Sequence, residues 1–273
     1  MLTWRKEGRM ATLTIAGNAS AAPPAYGACS AYVVEHLGTK VLLDCGPGSL
    51  AHIRAATSVH QLDAVFISHM HTDHFLDLLA LNVALWTEEG QRTVGGARWR
   101  LPVYLPPGAF ATLDAVFKAL TVNVTGTNAA RYSEALDCRE YDPEETIRAG
   151  EIVVSFVGPT KHSTTDYGMR VRAGNGLLGY TGDTARCDAA VEVGRDAGLF
   201  LAECTLLDVG RASDTHTSAG ELGEMANLAG CERLLATHFI DHSGAFRAGA
   251  TERLAAATRV PFELVTLGQV FEF

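Results

Sequence analysis

The chain has 273 residues, 47% of them hydrophobic and 19% charged, enough for one large domain or two small ones around a sizeable core. A net charge of −9 disfavours unassisted binding to a long polyanion, which requires a basic footprint. No run approaches the ~20 apolar residues of a membrane span, Met1 to Lys6 holds no apolar core of signal-peptide type, and six scattered cysteines lack Cys-x-x-Cys spacing, so buried thiols in a soluble cytoplasmic protein are expected.

Residues 11–16 alternate with β-branched side chains and predict a first strand, followed by a small-residue loop at 17–24. Residues 31–36 and 40–45 predict two strands joined by Leu37-Gly38-Thr39. The second ends in Leu43-Asp44-Cys45-Gly46-Pro47-Gly48, whose glycines permit a sharp exit from a sheet with Asp44 just inside it. Residues 49–56 look helical. The apolar run Leu62-Asp63-Ala64-Val65-Phe66-Ile67 predicts the next strand, and residues 75–86 a helix.

Between those two stands Ser68-His69-Met70-His71-Thr72-Asp73-His74, with three imidazoles and one carboxylate inside six residues. A strand end followed by a tight loop projects alternate side chains into a common cleft, so His69 and His71 can reach one point together. Asp73 and His74 come next as the chain turns and can face a second point nearby. Imidazole nitrogens with a carboxylate, and no cysteine, suit an open catalytic site for zinc, iron or manganese.

Residues 87–100 carry Arg92, Arg98 and Arg100 between Trp86 and Trp99 and read as a solvated hairpin tip in preference to a substrate flap. Residues 101–105 predict a strand, and Pro106-Pro107-Gly108 opens a helix through Leu120. Residues 121–150 are polar and weakly periodic, and no chemistry is assigned to them. Residues 151–157 form a strand that leads to an isolated His162. Two further strands, 168–172 and 177–180, run into Thr181-Gly182-Asp183-Thr184. Taken singly, His162 reads as a structural histidine and Asp183 as a turn residue. A helix at 187–194 and a buried strand at 199–202 ending at Glu203 come after them. Thr217 or Ser218 then caps a helix running to Leu228. Residues 231–237 predict a strand with His238 at its end, 245–257 a last helix, and 262–266 and 270–273 final strands. Periods of two and ~3.6 alternate as two mixed sheets covered by helices would require.

The His-x-His-x-Asp-His stretch resembles the metal motif of the metallo-β-lactamase fold, in the dinuclear branch that includes ribonuclease Z-like phosphodiesterases. The resemblance runs from about Ala11 onward, with motifs in order at Asp44, His69 to His74, His162, Asp183 and His238. It implies an α/β (α+β) fold, a four-layer αββα sandwich of two mixed β-sheets, as a single hydrolase domain over residues 1–273. It also implies two divalent metal ions, zinc first, with manganese or iron suiting the same ligands. His69, His71 and His162 would hold one ion and Asp73, His74 and His238 the other, with Asp183 bridging them. Asp44, in the family's Asp-x-Gly position, would support the metal-site loop through hydrogen bonds, with Glu203 in a similar supporting role. Asp73 would also orient the attacking water, and His216 resembles the branch's non-ligand histidine, placed to protonate a leaving oxygen. His242 reads as a surface residue.

The implied chemistry is hydrolysis by a hydroxide bridging two metals. The run from Thr181 through Glu203-Cys204, His216-Thr217-Ser218-Ala219-Gly220 and Leu235-Ala236-Thr237-His238 looks like the atypical cyclic-nucleotide phosphodiesterases. A small or cyclic phosphodiester is therefore the expected substrate. The alternative is a tRNA 3′-end endonuclease of ribonuclease Z type, but His162 and Asp183 lie only roughly twenty residues apart, room for two strands and no tRNA-gripping arm. Lactone or thioester hydrolysis and a non-enzymatic scaffold are the other classes. No stable nucleic-acid complex and no membrane partner are expected, and a homodimer is an expectation by analogy with relatives.

Overall fold

The computed structural model describes residues 10–87, 92–121, 132–210 and 212–273. The first part of the chain supplies β1 (Thr12–Gly17), β2 (Ala31–His36), β3 (Thr39–Leu43), α1 (Ser49–Ala56), β4 (Ala64–Phe66), the one-turn α2 (Thr72–Phe75) and α3 (Leu78–Thr87). A small hairpin of β5 (Thr93–Val94) and β6 (Ala97–Arg98) precedes β7 (Leu101–Leu105), α4 (Phe110–Thr121), α5 (Tyr132–Ala135) and β8 (Leu136–Glu140). The second part supplies β9 (Ile147–Ala149), β10 (Ile152–Val157), β11 (Gly168–Ala173), β12 (Gly176–Tyr180), α6 (Asp188–Gly194) and β13 (Leu199–Glu203). It closes with α7 (Ala219–Ala229), β14 (Arg233–Thr237), α8 (Gly244–Ala257), β15 (Phe262–Leu264) and β16 (Val270–Glu272).

These strands form two seven-stranded mixed sheets, ordered β16-β1-β2-β3-β4-β7-β8 and β15-β14-β13-β12-β11-β10-β9. In the first, β16, β1, β2 and β3 pair antiparallel, while β3, β4, β7 and β8 pair parallel. The second repeats that division, antiparallel from β9 to β12 and parallel from β12 to β15. Parallel strands need crossovers, and helices on their faces supply them.

Alternation along each strand sorts side chains into two cores. Tyr32, Val34, Val41, Leu43, Ala64 and Phe66 face the second sheet. Their neighbours Val33, Leu42, Val65 and Ile67 face the other way, onto Ile53, Leu81, Leu113 and Phe117 of α1, α3 and α4. The strands read as nearly unbroken apolar runs because both faces are buried. Phe66 stacks on Tyr104 at 4.9 Å and meets Phe156 of the opposite sheet at 6.4 Å. Burial of each such ring contributes roughly 1.5–3 kcal/mol.

Where the structure departs from the predicted elements, local hydrogen bonds explain it. The helix predicted at 75–86 is split, because the Asp77 N–H donates to the Cys45 carbonyl at 3.0 Å and its carboxylate accepts the Leu50 N–H at 2.9 Å. These bonds, with Cys45 N–H to the His74 carbonyl, clip the Asp44 exit loop to the histidine loop. The polar stretch 121–150 contributes β8 and β9, one at an edge of each sheet, where exposed faces leave little apolar signal. Residues 122–131 of that stretch lie outside the described residues. At 87–100, of which 88–91 lie outside the described residues, the arginines serve the fold. Arg92 stacks on Trp99 at 4.1 Å and pairs with Asp63 at 3.0 Å, and Arg98 donates to the Leu85 carbonyl. Among the described residues no helix is long and apolar enough to cross a membrane.

Candidate metal centre

The carboxyl ends of β3, β4, β12, β13 and β14 converge at one edge of the sandwich, and each delivers a polar side chain there. Ligand sites of open α/β sheets lie in the crevice outside such strand ends. The chain leaves β4 through Ile67, whose N–H donates to the Tyr104 carbonyl, and Ser68 turns it into the site. The single turn of α2 then presents Asp73 and His74, both buried. The 17–24 loop closes the same edge: the Ala21 N–H donates to Asp73 Oδ2 at 2.7 Å, and Ser20 N–H to the Phe239 carbonyl.

Beside a smaller set of Glu203, His216 and His238, two four-membered sets of side chains form there, each within 4.8 Å in all its ligand atoms: His69, His71, His162 and Asp183, and Asp73, His74, Asp183 and His238. Asp183 belongs to both. Its Oδ2 lies 3.8 Å from His69 Nε2 and 3.9 Å from His162 Nε2, and its Oδ1 lies 3.3 Å from His74 Nε2 and 3.2 Å from His238 Nε2. His71 Nδ1 stands 3.0 Å from His162 Nε2, and Asp73 Oδ2 3.3 Å from His238 Nε2. All seven residues named from the motif series are thus brought together.

The separations test whether a cation fits. Four ligands placed tetrahedrally at ~2.1 Å stand roughly 3.4 Å apart, within the range found here. Two buried atoms aimed into the clusters, His69 Nε2 and Asp183 Oδ1, have no hydrogen-bond partner. Buried polar atoms are ordinarily satisfied, so these two are placed as atoms that face a cation would be. The residues fit divalent cations.

Surrounding groups hold the imidazoles by their remote nitrogens. Asp44 accepts the Ser68 N–H at 2.8 Å and the Ser68 hydroxyl at 2.9 Å, meets His74 Nδ1 at 2.7 Å, and accepts the Tyr180 hydroxyl. It does this from a left-handed backbone conformation, φ 56°, which a non-glycine residue seldom adopts. His162 Nδ1 donates to the Thr215 carbonyl at 2.8 Å. His238 Nδ1 meets the Thr205 hydroxyl at 2.9 Å, and that hydroxyl donates to Glu203. Glu203 Oε1 accepts the Thr184 N–H at 2.6 Å and meets His216 Nδ1 at 3.1 Å. Glu203 is therefore occupied by donors and links His216 to His238, with which both form the smaller set. His216 is 21% exposed in its side chain, so its ring reaches the open side of the site. His242 packs edge-on against Phe239, outside both clusters.

Electrostatics divides the histidines. Burial pushes His69 well below its ordinary value, helped by the neighbouring His74, and burial also lowers His71 and His162. Burial acts on His74 in the same direction, but the Asp183 and Asp44 carboxylates outweigh it and raise His74 well above the usual range. Against burial, His238 and His74 hold Asp183 well below the usual carboxylate value. His216 is raised because Glu203 and Asp183 outweigh its burial.

Several contributors carried no sequence signal: Tyr180, Thr205, the Thr215 carbonyl, the Ala21 amide and, above all, Asp166, whose Oδ2 lies 2.6 Å from His69 Nδ1. Each acts through a contact between segments far apart in the chain.

Comparison with known proteins places this geometry in context. The model of the β-lactamase superfamily domain matches residues 39–239. A probable metallo-hydrolase of Bacillus subtilis, YhfI, is 30% identical over 233 residues, covering 85% of this chain and 88% of its own. The crystal structure of YhfI, described as a metallo-β-lactamase fold protein, superposes with a TM-score of 0.81 at 25% identity, covering 97% of this chain and all of that one. A ribonuclease Z of Mycolicibacterium gilvum is 26% identical over 247 residues, covering 85% of each chain.

Proposed function

The chain belongs to the β-lactamase superfamily as a metal-dependent hydrolase, and on that basis we propose that it is a phosphodiesterase acting on small or cyclic phosphodiesters. The observation that carries this reading is the Glu203–His216 pair, 3.1 Å apart, with His216 Nδ1 3.9 Å from Asp183 Oδ2. An alkoxide leaving group needs a proton, and a partly exposed imidazole raised by a buried carboxylate can deliver one.

His69, His71 and His162 would hold one divalent cation and Asp73, His74 and His238 a second, with Asp183 between them. When bound, such a pair supplies an activated water and neutralises charge developing on a phosphoryl oxygen. The chain's own residues do the rest. Asp73, fixed by the Ala21 amide, presents its carboxylate as acceptor for the proton of the attacking water. His216, its Nδ1 engaged by Glu203, keeps Nε2 for the leaving oxygen. The neutral His69, His71 and His162 offer lone pairs at the pH of the cell. The expected metal is zinc, since imidazole and carboxylate ligands at these separations suit it.

Two features weigh against a long RNA substrate. Between His162 and Asp183 the chain forms only a short loop and the β11–β12 hairpin, and the net charge is −9. The testing experiment is a turnover panel on metal-loaded protein, with His69→Ala as blank: bis-p-nitrophenyl phosphate, cyclic AMP, 2′,3′-cyclic nucleotides, a precursor tRNA and a simple lactone. Turnover of the small diesters with tRNA intact is expected. Cleavage of tRNA at low concentration, or of the lactone alone, would overturn the assignment.

A further inference from the structure

Asp166 belongs to none of the motifs, yet it is fully buried at the heart of the centre. Its Oδ2 lies 2.6 Å from His69 Nδ1 and accepts the Asp183 backbone N–H at 3.2 Å. Its Oδ1 accepts the Thr160 hydroxyl at 3.1 Å. The chain makes room for it. Gly182 sits at φ +62°, and a Cβ there would stand 2.6 Å from Asp166 Oδ1. Only glycine tolerates both that backbone and that approach.

The geometry has a chemical consequence. An Asp166 carboxylate that accepts from His69 Nδ1 would keep the ring proton on that nitrogen and the lone pair on Nε2, the buried atom that faces Asp183 and has no partner of its own. On the other side of the centre Asp44 makes the equivalent contact to His74 Nδ1 at 2.7 Å. Each of the two histidine sets therefore has a buried aspartate behind it.

We infer that Asp166 is a positioning residue that sets cation affinity at the His69–His71–His162 position, leaving the His74–His238 position to Asp44. This rests on the metal-centre reading above. Asn at position 166 keeps the shape but replaces one acceptor oxygen with an NH2 group. Turned toward the Thr160 hydroxyl, which can accept, that group leaves the amide oxygen facing His69 Nδ1 and the Asp183 N–H, but as a neutral and weaker acceptor than the carboxylate.

The test is made on the full chain, stripped of metal and titrated with Zn2+ against a chromophoric chelator, with stoichiometry by elemental analysis and Co2+ absorption as a spectroscopic signature. Asp166→Asn is expected to weaken one of the two equivalents about 10- to 100-fold and leave the other within about threefold. His69→Ala should remove that same equivalent, and Asp44→Asn should weaken the other. Thr160→Val, which removes the hydroxyl that meets Asp166 Oδ1 at 3.1 Å and the Asp183 carbonyl at 3.3 Å, should produce a smaller loss at the Asp166 equivalent and serves if Asp166→Asn does not fold. Wild-type affinity at both positions in either variant, or equal weakening at both, would overturn the inference while leaving the metal centre intact. If the wild-type chain takes up no cation, or His69→Ala keeps both, the metal-centre reading itself fails and the inference with it.

Discussion

The Tyr180 hydroxyl, at the end of β12 in the second sheet, donates its hydrogen bond to Asp44, at the end of β3 in the first. The contact is fully buried and joins the two sheets at the residue that also orients His74. A few ångströms away Tyr32 of the first sheet meets the Thr237 hydroxyl of the second at 2.8 Å, its ring 5.0 Å from that of Tyr180. Sheet packing and site geometry therefore share the same atoms. Tyr180→Phe keeps the ring and deletes the donor, so Asp44 loses one buried partner. The expected cost is about 1.5–3 kcal/mol of unfolding free energy, the range for hydrogen bonds to charged groups. Urea denaturation should show the lower midpoint at unchanged slope, and a variant as stable as wild type would refute the link.

Cation removal is the most direct test of the centre. Anything that binds the folded chain and not the unfolded one stabilises it by mass action, ~2.7 kcal/mol at one hundred times its dissociation constant. For a chain of this size that corresponds to a fall of roughly 5 °C or more in melting temperature on chelation. Scanning fluorimetry with EDTA and zinc back-titration should trace the loss and its recovery. An unchanged melting curve would contradict two occupied positions.

The metal-free chain should show a specific pH signature. Asp183 at 3.3 Å and Asp44 at 2.7 Å keep a proton on His74 well above its ordinary value of 6.5, despite burial. A raised folded-state value means that this proton stabilises the fold fully below about pH 6.5. The contribution is lost as pH rises through the elevated value. The stability difference between metal-free wild type and His74→Asn should accordingly be full below about pH 6.5 and shrink as pH rises through the elevated value. Cation binding must displace the same proton, so affinity at the His74–His238 position should rise with pH. Calorimetry in buffers of different ionisation enthalpy would detect the released proton, and a pH-independent affinity would contradict the assignment.

His216 and Glu203 should behave as one unit in turnover. His216→Ala is expected to lower kcat about 10²- to 10⁴-fold for an alkyl leaving group, and far less for p-nitrophenolate, which departs without a proton. Glu203→Gln removes the charge that holds His216 up. The alkaline limb of the kcat profile, where a general acid loses its proton, should move to lower pH. A loss in His216→Ala that ignored leaving-group basicity would assign this histidine to substrate binding instead.

Residues close in the chain made much of this molecule legible beforehand. The spacing His-x-His-x-Asp-His after an apolar run marks a strand end, because side chains of a strand alternate by twos and a tight turn gathers the next few residues at one point. The capping of α7 by Ser218, with Glu221 answering it, is equally local. His162, Asp183 and His238 were legible only through their order relative to known motifs, since each taken alone is an ordinary polar residue at a strand end. Asp166 was not legible at all. Its meaning comes from His69, 97 positions earlier in the chain, and a carboxylate's role depends on which donors surround it once water is excluded. The split between α2 and α3 has a similar origin: the Asp77 amide finds the Cys45 carbonyl only after the two loops have met. Sequence alone determined which strands end in imidazoles and carboxylates that could hold a metal. Tertiary packing decided which buried carboxylate stands behind which imidazole, because hydrogen bonds are short and directional and form between whatever groups the folded sheets bring within reach.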